Sequence, residues 1–154
     1  MIPNKNSQPT RKEIINALGS YFKIRELVCD HTYAKWGEAS WRFLDTAWLH
    51  TLLVLRCDIL KKGMTCNTSS KHQRGLRCNM CNLVSTKQNV YLSAHVLGKA
   101  GDFDVAGMTA DEARQTIIDN ADMLPYPIRM EKDVTWLHVD VLPVSDDKIT
   151  LFAD

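Results

Sequence analysis

The chain has 154 residues, 45% of them hydrophobic and 24% charged, which is the composition of one soluble globular domain. Its 19 lysines and arginines against 18 aspartates and glutamates give none of the positive field that nucleic-acid-binding proteins use. No apolar run approaches the ~20 residues that cross a bilayer, and residues 1–19 contain no signal-peptide segment. We therefore expect synthesis in the cytoplasm, no membrane span and no nucleic-acid partner.

The first half of the chain has the pattern of helices. Residues 1–10 are expected to form a flexible polar segment, and residues 11–154 a single domain. Thr10 and Glu13 have the capping-box spacing that starts a helix. The longest helix is predicted over 38–61, where large apolar side chains recur at three- and four-residue steps and indicate the central helix of the core.

The second half has the pattern of strands. Polar residues without a period over 69–90 predict a long loop, which is uncommon in a compact domain unless it is functional. A helix capped by Thr109 is predicted over 109–120, and a turn at 132–133 is predicted to join two strands into a hairpin. The expected strands are 64–68, 89–96, 101–105, 128–131, 135–141 and 148–152. The fold class is therefore α+β, with a helical N-terminal half packed on a mainly antiparallel sheet.

Two short segments carry the most informative chemistry. Residues 93–102 read SAHVLGKAGD and residues 136–140 read WLHVD. Together they supply His95, Asp102 and His138, and two imidazoles with one carboxylate suit a catalytic zinc ion that keeps a fourth position for water. The remaining histidines, expected to be loop or structural residues, are His31, His50 and His72.

These segments resemble the zinc D-Ala-D-Ala carboxypeptidase and endopeptidase superfamily, whose fold is shared with the hedgehog signalling domain. The superfamily pattern Ser-x-His-x-x-Gly-x-Ala-x-Asp, then Trp-x-His-x-Asp, is matched by Ser93, His95, Gly98, Ala100, Asp102, Trp136, His138 and Asp140. Arg74 and Asn79 have the spacing of an arginine and an asparagine found upstream in that superfamily. Residues 22–29 resemble the first segment of its small, phage-associated members, so the resemblance extends over about residues 22–141.

The resemblance implies a hedgehog/DD-peptidase-like fold and a role for each matching residue. The zinc ligands that it implies are His95, Asp102 and His138. Zinc in such a site polarises the scissile carbonyl and lowers the pKa of a water molecule. Arg74 is expected to hold a substrate carboxylate or the developing oxyanion, and Ser93 to hydrogen-bond the substrate or orient its strand. Asp140 lies two residues past His138 on the same side of a strand, which makes it a candidate partner of that ligand.

The general base departs from the superfamily pattern. Many relatives have an acidic residue three positions before the last histidine ligand, where this chain has Thr135. Glu131 is predicted to be the base because it lies on the same sheet face as His138, and a bulge or wider turn would bring it closer to the metal. Asp133 is the alternative acid, although its position favours a turn residue.

The five cysteines, an odd number, argue against a complete disulfide framework. Cys78-x-x-Cys81, with Cys66 and His72 upstream, has donors for a structural zinc site. A single C-x-x-C is a weak signal, so a disulfide or free thiols are favoured over a second zinc.

The sequence therefore predicts a monomeric zinc-dependent peptidase that hydrolyses peptidoglycan peptide bonds next to D-alanine, as a carboxypeptidase or an endopeptidase. Its partner is expected to be the stem peptide or cross-link, and its place of action the cell wall, as a phage or prophage product. The alternative is a catalytically weak or silent zinc-binding module that recognises the cell wall, or a phage structural protein, because Thr135 stands where an acid is often found.

Overall fold

Helices fill the first half of the chain in the computed structural model, which describes residues 7–154. They are α1 (Arg11–Leu18), α2 (Ile24–Leu27), α3 (Asp30–Trp36) and α4 (Thr46–Val54), with a 3₁₀ segment (Gly37–Phe43) before α4 and a π-helical turn (Leu55–Ile59) after it. The predicted cap of α1 is confirmed, because the Thr10 hydroxyl accepts a hydrogen bond from the Glu13 backbone N–H at 3.2 Å. Residues 1–6 of the predicted flexible segment lie outside the described residues.

The predicted continuous helix over 38–61 is wrong in its first third. The Asp45 side chain accepts a hydrogen bond from the Trp48 N–H at 3.1 Å, and the Asp45 N–H donates to the Gly98 carbonyl at 2.9 Å. These bonds cap a helix that begins at Thr46, and the residues before it form the 3₁₀ segment. The prediction of a core helix is confirmed, since Trp48, Leu49, Leu52 and Leu55 are at most 1% exposed.

The second half of the chain forms a five-stranded mixed sheet. Its strands are β1 (Met64–Thr65), β2 (Ala100–Val105), β3 (Ile128–Glu131), β4 (Leu137–Asp140) and β5 (Ile149–Phe152), in the order β1-β2-β4-β3-β5. All pairings are antiparallel except that of β3 with β5. The helices of this half are α5 (Asn82–Ser85) and α6 (Ala110–Asp119), followed by a 3₁₀ turn (Ala121–Met123). The α+β class is therefore confirmed, and the predicted capping box of α6 is present.

Two predicted strand features are wrong. Residues 89–96 form an irregular segment that ends in a turn over 94–98, where Gly98 has a φ of +71°. The β3–β4 connection is a five-residue loop rather than a two-residue turn, because the buried Arg114 guanidinium of α6 donates to two carbonyls of the loop and to the last carbonyl of β3. The acceptors are the carbonyls of Glu131, Val134 and Trp136, at 3.2, 3.0 and 3.1 Å.

The two faces of the sheet have different roles. On β2 and β4, Phe103 and Leu137 are paired and point into the core, where Phe103 contacts the ring of Trp48. Because side chains alternate along a strand, Asp102 and His138 point together to the opposite face. No helix within residues 7–154 is long and apolar enough to cross a membrane.

Candidate metal centre

The predicted ligands His95, Asp102 and His138 converge at the centre of the sheet. Asp102 on β2 lies directly opposite His138 on β4 in the antiparallel register. His95 reaches them from the turn over 94–98, which immediately precedes β2. The three side chains each offer one ligand atom, and these atoms all lie within 4.8 Å of one another.

Both imidazoles lie against the Asp102 carboxylate. The Asp102 carboxylate places Oδ1 2.8 Å from Nδ1 of His138 and Oδ2 3.4 Å from Nε2 of His95. All three residues are at most 7% exposed, so the cluster is shielded from bulk water. Buried ionisable groups require a charge partner or a metal, and this donor set fits the two-histidine, one-carboxylate pattern of catalytic zinc.

The other nitrogen of each imidazole is held by a partner. Nδ1 of His95 lies 2.8 Å from the Gly75 carbonyl, so that nitrogen donates and Nε2 keeps its lone pair for a metal. Nε2 of His138 lies 2.7 Å from Oδ2 of Asp140, which leaves Nδ1 facing Asp102. Hydrogen bonds of this kind fix the ring orientation and tautomer of metal-binding histidines.

Asp140 is anchored independently of His138. Its fully buried carboxylate accepts two hydrogen bonds from the Arg129 guanidinium, both at 2.9 Å, and one from the Leu142 backbone N–H at 3.0 Å. Arg129 in turn lies over the ring of Phe152, which also contacts the His138 ring edge-on. Asp140 is therefore a firmly held hydrogen-bond acceptor for Nε2 of His138.

The charges of the cluster shift the pKa of its members in opposite directions. Burial raises the pKa of Asp102, but the hydrogen bond from His138 and the nearby imidazole of His95 outweigh it and hold that pKa well below its usual range. Burial lowers the pKa of His138, but hydrogen bonds to Asp102 and Asp140 raise it to about 9. A divalent cation has to displace the proton that this arrangement retains on His138.

Glu131 lies close to this cluster. It ends β3, and the register that pairs Arg129 with Asp140 and Met130 with Val139 sets Glu131 opposite His138 when continued by one residue. Burial raises the pKa of Glu131, the charges of Asp154 and Asp102 raise it further, and His138 and Arg114 lower it. The wider β3–β4 loop has thus brought the predicted base toward the ligands. Asp133 is an exposed turn residue with a φ of +64°.

A cleft of about 380 Å³ borders Asp102 and carries a group of cations. Arg74 makes two hydrogen bonds to Asp104, at 3.2 and 3.1 Å, which neutralise the guanidinium predicted to bind substrate. Arg77, three residues further along the same loop, has its Nη2 3.8 Å from Oδ2 of Asp102. Of the two arginines, Arg77 therefore lies nearer the ligands.

Two other matched positions, Ser93 and Asn79, lie in loop segments. The Ser93 hydroxyl accepts a hydrogen bond from the Val96 N–H at 3.3 Å, which orients the turn that carries His95. Asn79 lies beside Cys78 in the loop before α5 and borders a different cleft from Arg74. Thr135 is exposed and lies with Trp136 at the rim of the cationic cleft.

Comparisons with protein-family models, curated proteins and solved structures found no match.

The cysteines are arranged differently from the predicted C-x-x-C site. Cys78 and Cys81 lie beside Cys29 and His31, instead of Cys66 and His72. Cys66 is fully buried in the core, where burial raises the pKa of its thiol, and neither Cys66 nor His72 belongs to the group. The short spacing Cys29-x-His31 is the signal that identifies the second half of this group.

Proposed function

We propose that the chain is a zinc-dependent peptidase that hydrolyses peptidoglycan peptide bonds next to D-alanine, as a carboxypeptidase or an endopeptidase. The observation that carries the proposal is the convergence of His95, Asp102 and His138 in a buried group whose ligand atoms lie within 4.8 Å of one another. The hydrogen bonds that the imidazoles of His95 and His138 donate to the Gly75 carbonyl and the Asp140 carboxylate support it, because they leave the second nitrogen of each ring facing the cluster.

The residues around the cluster supply the remaining roles. When bound, zinc supplies a Lewis acid for a carbonyl oxygen and an activated water molecule. Glu131 is the proton acceptor in this proposal, since it lies beside His138 and burial raises its pKa toward the pH at which a general base works well. The Arg114 bond to the Glu131 carbonyl fixes the backbone of that base.

The cationic cleft suits a peptide with a free carboxylate. A guanidinium presents a planar pair of donors that matches a carboxylate. Arg74 is hydrogen-bonded to Asp104, whereas the carboxylate oxygen beside Arg77 lies 3.8 Å away, so Arg77 is the arginine with donors to offer a substrate. The proposed substrate is the stem peptide or cross-link of peptidoglycan, which places the activity at the cell wall. In this arrangement Arg77 holds the substrate carboxylate, and Arg74 with its partner Asp104 shapes the cleft wall.

A second candidate is a zinc-binding module that recognises the cell wall without cleaving it. The observation that favours it is the exposed Thr135 at the rim of the cleft. Many members of the superfamily that the sequence resembles have an acidic residue at this position. In that case Glu131 does not act as a base, and the chain binds zinc and muropeptide without turnover.

The test is digestion of purified peptidoglycan by the zinc-loaded chain, with mass analysis of the released fragments. The His138→Ala variant is expected to release none, while the His50→Ala variant, which changes a histidine outside the site, is expected to retain hydrolysis. Far-ultraviolet circular dichroism checks that both variants fold. Hydrolysis unchanged in His138→Ala contradicts the proposal, and zinc bound without any cleavage by the native chain favours the recognition module.

A further inference from the structure

A second group of metal-binding side chains lies outside the proposed catalytic centre. It contains Cys29 at the start of α3, His31 in the first turn of α3, and Cys78 and Cys81 from the loop before α5. One ligand atom from each residue lies within 4.8 Å of every other. We propose that these four residues bind a structural zinc ion.

The distances fit a tetrahedral site and are too long for a disulfide bond. The Sγ atoms of Cys78 and Cys81 are 4.0 Å apart, and Sγ of Cys81 is 3.9 Å from Nδ1 of His31. In a tetrahedral site with Zn–S bonds of about 2.3 Å, neighbouring sulfur ligands lie ~3.8 Å apart. A disulfide requires an S–S bond of about 2.05 Å. Three thiolates and one imidazole are also a common closed ligand set of structural zinc.

The local backbone orients the sulfur atoms toward one another. The Met80 N–H donates to Sγ of Cys78 at 3.4 Å, and the Cys81 N–H donates to the Cys78 carbonyl at 3.1 Å, which closes the C-x-x-C turn. On the other side of the group, Sγ of Cys29 and the Thr32 hydroxyl are 3.1 Å apart. A cleft of about 680 Å³ borders Cys29, His31 and Cys81, so an ion can reach the group from solvent.

The ion would hold a loop that has little other structure. Between β1 and β2 the chain contains only the four-residue α5 within the described residues, and such loops need a constraint to stay ordered. The group joins this loop to the α2–α3 junction, beside a single parallel bridge between Val28 and Leu76. There the Cys29 N–H donates to the Leu76 carbonyl at 3.0 Å.

The same loop segment forms a wall of the catalytic centre. The Gly75 carbonyl holds His95, the Arg74 carbonyl accepts a hydrogen bond from the Asp102 N–H at 2.7 Å, and Arg77 faces Asp102. Zinc on the four-residue group would therefore fix the segment that positions two of the proposed catalytic ligands. This role is separate from hydrolysis, because none of the four residues reaches the His95, Asp102 and His138 cluster.

Cobalt substitution tests the proposal independently of enzyme activity. Cobalt(II) added to the reduced, metal-free full chain should give a near-ultraviolet sulfur-to-cobalt charge-transfer band that saturates at one equivalent of thiolate-bound metal per chain. The His95, Asp102 and His138 site has no sulfur ligand, so the band is expected to persist in His138→Ala. Cys78→Ser and Cys29→Ser should lose most of its intensity, whereas the matched Cys57→Ser variant, whose thiol is outside the group, should keep it.

Two results of the cobalt experiment overturn the proposal. One is the absence of a sulfur-to-cobalt band in the native chain at stoichiometric cobalt, a measurement that requires no variant to fold. The other is a band of native intensity in both Cys78→Ser and Cys29→Ser. A thiol titration of the metal-free, unfolded chain is expected to count five free thiols, and a count of three would show a disulfide in place of the site. If the native chain gives the sulfur-to-cobalt band but does not hydrolyse peptidoglycan, the proposed function is contradicted and the structural zinc site is not.

Discussion

Gly98 provides the sharpest test of how the turn before β2 positions His95. Its φ of +71° is left-handed, and a Cβ atom at this position would lie 2.1 Å from the Phe43 carbonyl oxygen, closer than atoms can approach. Gly107 is a matched control, because its φ of +70° differs from that of Gly98 by only one degree and a Cβ there meets nothing within 4 Å. A comparison of Gly98→Ala with Gly107→Ala therefore separates the cost of backbone strain from the cost of steric overlap.

The expected magnitudes follow from these two causes. Alanine in a left-handed conformation costs roughly 1–2 kcal/mol at either glycine. The overlap with Phe43 adds about 1–3 kcal/mol at Gly98 alone, as overpacking does elsewhere. For a chain of this size each kcal/mol corresponds to about 2–4 °C in Tm. Gly98→Ala should therefore unfold about 2–12 °C below Gly107→Ala.

Thermal unfolding followed by circular dichroism, with equal excess zinc in each sample, measures the difference. Relief of the overlap has to move the Gly98 backbone, whose N–H donates to the His95 carbonyl at 3.3 Å. Zinc affinity should therefore fall in Gly98→Ala and stay native in Gly107→Ala. Equal Tm values for the two variants would refute the steric argument.

Two further predictions concern charged groups. Asp140→Asn removes the negative charge that faces Nε2 of His138, so zinc affinity should fall about 10–100-fold, and competition with a chromophoric chelator measures it; unchanged affinity would show that Asp140 does not support the ligand. Burial holds the pKa of His50 below its ordinary value of 6.5, an effect that Asp58 partly offsets. His50 therefore takes up a proton more readily in the unfolded chain than in the folded one. The free energy of unfolding is at its full value above pH 6.5 and decreases as the pH falls below it. Between about pH 7.5 and about pH 5, Tm should then fall more in the native chain than in His50→Phe, which keeps an aromatic ring against Tyr126; parallel curves would contradict the assignment.

The ligand cluster could be predicted from the sequence because two of its three residues lie on regular strands. Asp102 and His138 lie on neighbouring strands, where alternation alone sets the face to which each side chain points. Capping residues were equally predictable, since Thr109 and Glu112 interact across three positions of the chain.

The predictions that failed depend on contacts between distant segments. The helix over 38–61 is interrupted where Asp45 bonds to Gly98, and the β3–β4 loop is widened by Arg114 from α6. The periodicity of the residues around each segment does not reveal Gly98 or Arg114 as a partner. The position of Arg77 follows from the β-bridge of Val28 with Leu76, which is equally non-local.

The group of three cysteines and His31 could not be predicted for the same reason. Cys78 and Cys81 are paired by spacing, but Cys29 and His31 are nearly fifty positions away, and only the folded chain brings them together. Cys66 is closer in sequence and is fully buried in the core. Sequence proximity was therefore a poor guide to the second half of the site.

Release of muropeptide fragments by the zinc-loaded chain tests the central claim most directly. Mass analysis of digested peptidoglycan should show peptides cut next to D-alanine with the native chain. The Glu131→Gln variant should bind zinc equally well and release no such fragments, because it keeps the shape of the side chain but cannot accept a proton. Zinc bound by the native chain without fragment release, or equal release by both proteins, would contradict the account.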